Sequence, residues 1–197
     1  MVDLPKQKNH HRDTENTKDA QRKLKGTKLM SIDRLIGSWS EVRAGLIKEV
    51  SQIPEDQFSF RATPETRSVA ELLQHVVQSQ KMLVGESCRA DTNLMRQSFA
   101  DHIKEYAPDV ASVSDKNGLL EMLRSSMETS EASIRGCGDG LQQSMRRFDG
   151  KEVSKTEFLT FAIAHEMYHR GQLTVYQRLL GVEPVLTRDL RKLFATS

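Results

Sequence analysis

Two Ser-x-x-Glu sequences, Ser68-Val69-Ala70-Glu71 and Ser154-Lys155-Thr156-Glu157, each open a long run of helix-forming residues. In such a capping box the serine and glutamate side chains each satisfy the other residue's orphan backbone N–H, so both places specify a helix start. The first predicts a helix from Ser68 to near Ser87 or Arg89. The second predicts one that reaches Gly181, with Pro184 just beyond. Leu35, Trp39, Val42, Leu46 and Val50 recur at three and four over Ser31 to Ile53, and Pro54 stops that helix. A further helix, from Ser114 or Asn117 to Ile134, is ended by Gly136-Cys137-Gly138-Asp139-Gly140, which tolerates positive φ.

Residues 90–113 are polar, contain Pro108 and read as a connection holding a short helix around Ser98 to Tyr106; residues 187–194 read as a short terminal helix. With no strand-like alternation between these segments, the fold class predicted is all-α, a four-helix bundle. The long second-to-third connection permits a crossover, so a plain up-down-up-down order is not forced.

Composition narrows the function. The first 28 residues carry eight Lys/Arg against four Asp/Glu, leaving 21 basic and 23 acidic side chains in the rest. A near-neutral body offers no basic face for nucleic acid. Residues 1–29 read as a polar, disordered extension and residues 30–197 as one domain. Cys88 and Cys137 form no CxxC pattern, so neither a disulfide framework nor a cysteine zinc site is expected, and a reducing cytoplasm fits. No apolar run approaches the roughly 18 residues of a membrane span, so a soluble cytoplasmic protein with a small-molecule substrate is the expectation.

The chemistry is concentrated in His165-Glu166-Met167-Tyr168-His169, set within the last long helix. Residues four apart lie one above the other, so both imidazoles can grip one divalent ion. Projected at about 100° per residue, the pair falls in the middle of a stripe with Phe158, Phe161, Ala162, Gln172 and Tyr176. A third ligand has to come from elsewhere. His75 is the best candidate, because His10 and His11 lie in the tail and His102 in an expected loop. His75 sits at the edge of its helix's apolar arc, on a strip with Ser68, Ser79, Met82 and Glu86 that suits a groove between helices. Three histidines without a fixed carboxylate would leave coordination positions open, as catalytic sites do.

The HExxH match also admits a zinc-peptidase reading, with Glu166 as general base, but Gln172 and Val175 stand where the extended motif needs Gly and His. Glu166 otherwise reads as a groove-edge or surface carboxylate.

The stretch Phe58-Ser59-Phe60, Pro64 and Ser68 to His75, followed by His165 to Leu173 and Arg178-Leu179-Leu180-Gly181, resembles the DinB/YfiT-like (damage-inducible) superfamily over about residues 30–186. The resemblance implies a four-helix bundle with a crossover, often a homodimer, and a divalent metal held by His75, His165 and His169. Zinc comes first, with nickel, iron, cobalt or manganese as alternatives. It further implies a low-molecular-weight thiol as cosubstrate, in an S-transferase or isomerase; a closely related variant would activate water at the same metal for hydrolysis, and the residues do not distinguish the two nucleophiles. Gln172, Tyr176, Ser79 and Met82 would line the substrate pocket, and Gly171 would serve a close helix contact. A non-catalytic metal- or ligand-binding bundle is the reading from a different class.

Overall fold

Both capping sequences start helices in the computed structural model of the chain, which describes residues 31–195; the expected extension over residues 1–29 lies outside the described residues. Four long helices carry the fold: α1 (Ile32–Gln52), α2 (Val69–Ser87), α4 (Lys116–Cys137) and α5 (Lys155–Leu179). Between α2 and α4 lies the short α3 (Phe99–Tyr106), and α6 (Val185–Ala195) follows α5. Ser68 and Glu71 form the reciprocal capping box. At α5 only half of that motif is realised: Ser154 accepts from the Glu157 N–H at 3.1 Å, while its own backbone belongs to a strand.

That strand is a departure from the all-helical expectation. Ser144–Arg146 (β1) and Glu152–Ser154 (β2) pair antiparallel, with Ser144 opposite Ser154. Gly150 turns the chain at φ +77°, a conformation that costs other residues a Cβ clash. Three-residue strands are too short to show an alternation, and Met145 alone marks the buried side.

Contacts between helices fix their directions. At one end of α1, Lys116 Nζ donates to the carbonyls of Ser51 and Ile53; at the other, Arg135 meets Asp33 at 2.6 Å, so α1 and α4 are antiparallel. Gln177 donates to the Glu49 carbonyl at 3.1 Å, so α5 ends level with α1. Tyr176 donates to the Arg67 carbonyl at 2.9 Å, so that end of α5 meets the start of α2. Helices α1 and α5 therefore run one way, α2 and α4 the other. Because α2 and α4 are parallel, the chain between them has to return along the bundle, and this is the crossover. Ala107 and Val110 of that segment are buried in the main core with Leu73, Val77, Leu119 and Leu123.

A disulfide joins Cys88 and Cys137, whose Cα atoms are 5.7 Å apart although 49 residues separate them. This corrects the reading of two unconnected cysteines and removes them as support for a reducing compartment. Only the parallel arrangement of α2 and α4, which brings both C-terminal ends to the same level, makes the pairing possible. No described helix is long and apolar enough to cross a membrane.

All four bundle helices meet at Arg43. Its guanidinium donates to Glu166 of α5 at 2.6 and 2.8 Å, to Gln80 of α2 at 2.7 Å, and to Leu123 O and Ser126 Oγ of α4 at 2.6 and 3.0 Å. Trp39 adds an indole N–H to Glu166 at 2.7 Å. Arg43 and Glu166 are each 2% exposed, so neither charge has water to fall back on. Breaking such a pair leaves an uncompensated ion in the interior, at a cost of about 3–5 kcal/mol. The Glu166→Gln variant is expected to lose about that much unfolding free energy in urea titration, measured without added metal. A change below about 1 kcal/mol would show that the pair does not hold the helices together.

Candidate metal centre

Pairing with Arg43 turns Glu166 inward, and this sets the rotation of α5. The buried residues of α5 include Phe158, Leu159, Ala162, Glu166, His169, Leu173, Tyr176 and Gln177. At about 100° per residue, that arc is displaced by about 60° from the one expected, toward Glu166. Phe161 is exposed instead of buried, and His165 lies at the arc's edge, half-buried. A glutamate read as a surface group is thus a core residue. Reading the stripe from apolar residues alone misplaced its centre, because the partner that makes the carboxylate tolerable is 123 residues away.

The displaced arc leaves His165 and His169 facing α2, where His75 waits. The ligating nitrogens of the three rings lie within 4.8 Å of one another. Ring centroids are 4.8 Å apart for His75 and His169, 5.2 Å for His75 and His165, and 4.4 Å for His165 and His169. Between the latter two, the Nε2 atoms are 3.0 Å apart. Gln172 fixes the tautomer. Its amide nitrogen donates to Tyr168 Oη at 3.1 Å, which leaves its oxygen to accept from His169 Nδ1 at 2.7 Å. His169 Nδ1 therefore carries the proton and Nε2 presents a lone pair, the arrangement in which a second hydrogen bond orients a ligating imidazole.

Desolvation holds all three rings below the usual imidazole range, His75 at about 3 and His165 at about 4, with His169 lowered despite the bond it donates to Gln172. The neighbouring imidazoles and the Arg67 guanidinium push the same way. Neutral imidazole is the form that binds a cation, so the donor set fits a divalent ion.

The remaining predicted residues divide between two hollows. Ser79 and Met82 line a cavity of about 280 Å³ beside His75 and His165, walled also by Leu83, Leu94 and Phe158. Sequence reasoning missed its outer wall, which comes from Phe99 at the start of α3, Phe148 in the hairpin turn, and Phe161. Gln172 and Tyr176 line a separate polar depression of about 520 Å³ with Arg61, Thr66 and Arg67. Tyr176 is itself packed against Phe60, with ring centroids 5.8 Å apart. Gly171 faces open space within 4 Å and makes no close helix contact. That role falls to Gly45 on α1, where a Cβ would stand 2.3 Å from the Arg170 guanidinium.

Two further groups stand apart from this centre. Glu166 has both carboxylate oxygens engaged by Arg43 and Trp39, which argues against the role of general base. His102 is fully buried on α3, not in a loop, with Nε2 3.0 Å from the Leu94 carbonyl. It lies near Glu86 and Glu105, but Arg96 already bonds both carboxylates.

The depressed histidines link to stability with a definite sign. Their folded pKa values lie below the unfolded value near 6.5, so between these limits the unfolded chain binds more protons. Their contribution is whole above pH 6.5 and is lost as pH falls toward 4 and 3. Urea midpoints of metal-free protein at pH 7, 5 and 4 should therefore fall, and fall less steeply in His75→Gln; identical slopes would contradict burial of neutral imidazoles.

The chain matches the DinB family model over residues 21–196. No curated protein matches it. Among solved structures it is similar to YfiT from Bacillus subtilis, described as a probable metal-dependent hydrolase with an unusual four-helix bundle topology. The TM-score is 0.61 at 18% identity, over 79% of this chain and 93% of that one. A DinB-like protein, YjoA, from Bacillus subtilis aligns at TM-score 0.58 and 18% identity, over 75% of this chain and 92% of that one. A mycothiol-dependent maleylpyruvate isomerase aligns at 0.58 and 12%, over 73% of this chain and 61% of that one. At these identities the likeness is one of fold. The family match, extending over most of the sequence and all three histidines, shows that the chain belongs to the DinB family.

Proposed function

We propose that the chain is a divalent-metal-dependent enzyme that activates a low-molecular-weight thiol, or water, at the centre formed by His75, His165 and His169. The observation that carries this reading is the convergence of three neutral imidazoles without a fourth protein ligand: among the described residues, their cluster contains only histidines. An open coordination position is the mark of a catalytic site, where a structural one is closed. A bound ion would supply a Lewis acid that lowers the pKa of a thiol or water presented to it.

The chain's own residues do the rest. Gln172 holds His169 in the ligating tautomer. The mostly apolar lining of the cavity beside His75 and His165 lowers the local dielectric on that side of the site, which strengthens electrostatic interactions there. Glu166 is a positioning residue, holding the helix that carries two of the histidines. The thiol reading draws on the described dependence of one structural neighbour on mycothiol, and the water reading on the probable hydrolase description of another. The peptidase variant of the water reading is disfavoured, because it needs Glu166 free.

Self-association belongs to the same proposal. Tyr168, Val175 and Leu179 of α5, with Leu186, Leu190 and Phe194 of α6, are exposed apolar residues suited to cover one another in a homodimer. A cytoplasmic setting suits a thiol cosubstrate, which needs reducing conditions; the Cys88–Cys137 disulfide favours an oxidising one.

The test is cobalt loading followed by thiol titration. Wild type is expected to take up about one Co²⁺ per chain, His165→Ala less than a tenth of that at equal helicity, and added cysteine to raise a sulfur-to-cobalt absorption band. Uptake without a band under saturating thiol would favour water as the nucleophile. A fully folded wild type that takes up no metal would overturn the proposal.

A further inference from the structure

The cavity beside the histidines has a definite chemistry of its own. Its walls are mostly aromatic and aliphatic, and they come from α2, Leu94, α3, the hairpin turn and α5. Three of its aromatic residues, Phe99, Phe148 and Phe161, are exposed, an unusual cost for a surface that binds nothing. Phe99 and Phe148 contact each other edge-on at 6.0 Å, and the Arg147 guanidinium lies 5.9 Å from the Phe161 ring. Arg147 is matched by Asp149 at 3.5 Å, so the mouth carries no net call for an ionic group.

Deeper in, Ser79 lines the cavity, is 3% exposed, and its hydroxyl has no hydrogen-bond partner. A buried hydroxyl left unpaired is costly. Other helix serines here bond back to the carbonyl four residues earlier, as Ser87 and Ser125 do; Ser79 Oγ makes no such bond, and a ligand in the adjoining cavity could supply its partner. An apolar cavity of about 150 Å³ takes a benzene, and this one measures about 280 Å³, room for a bicyclic ring.

We infer that this cavity binds an uncharged mono- or bicyclic aromatic group carrying one polar substituent, with Ser79 bonding the substituent and Phe148 and Phe161 flanking the ring. The inference rests on the proposed function in one respect: His75 and His165 line the cavity, so the aromatic compound would be the electrophile presented to the activated thiol or water. Selectivity for ring-bearing compounds would then be set by Ser79, Phe148 and Phe161, not by the histidines.

Binding is measured with 2-naphthol and with naphthalene, by their own fluorescence, on the full chain both metal-loaded and metal-free. Both probes are expected to bind in either state, because Ser79, Phe148 and Phe161, which hold them, are not metal ligands. Ser79→Ala should weaken 2-naphthol about fivefold, the size of one hydrogen bond, and leave naphthalene unchanged, a difference that a general loss of packing would not produce. Phe148→Ser and Phe161→Ser, both at exposed positions, should weaken both probes about tenfold. Absence of binding by either probe at its solubility limit, or wild-type affinity in both Phe variants, overturns the inference. Equal weakening of the two probes by Ser79→Ala overturns the role of its hydroxyl. Probe binding by a protein that takes up no metal would leave the cavity in place and remove the metal reading, so the two failures are distinguishable.

Discussion

The bidentate contact of Arg43 with Glu166 is the interaction from which the rest of this molecule can be argued. A single guanidinium reaches α5, α2 and α4 from α1, so it fixes four helix positions with one side chain. Apolar packing is tolerant of small rotations; a charged fork with short bonds to three other helices is not. Glu166 immediately follows one histidine and precedes the other by three residues. Fixing its direction fixes theirs. The site is thereby assembled by the fold's own electrostatics, and a metal arriving there would find its ligands gathered.

The same residues separate two functions that the HExxH pattern usually joins. In a peptidase the central glutamate faces the reacting water. Here the helix is turned so that the histidines face α2 and the glutamate faces α1. The pattern is shared, and the partner across the interface decides what it does. The apolar cavity lined by His75 and His165 and the polar depression bearing Arg61, Arg67 and Gln172 are separate hollows of unlike chemistry.

Much of this was legible in the sequence, for reasons that can be named. The capping sequence at Ser68, the apolar periodicity of α1 and the glycine-rich stop after α4 are local signals, and the structure uses all three. The crossover was permitted by the length of the second connection, and the half-buried setting of His75 followed from its edge position. What escaped was non-local. The inward turn of Glu166 depends on Arg43, the Cys88–Cys137 pairing on two helices ending level, and the wall of Phe99 and Phe148 on a hairpin of two three-residue strands docking beside α3. The short helix around Ser98 to Tyr106 was legible as well, but not the burial of His102 on it, which comes from the crossover packing against Glu86. None of these leaves a periodic trace in its own segment.

X-ray absorption at the metal edge of zinc-loaded protein tests the central claim most directly, because it counts the ligands by element and distance. The account predicts three imidazole nitrogens at about 2.0–2.1 Å, with the remaining positions filled by light atoms from solvent. A protein sulfur, or fewer than three imidazoles, would contradict it.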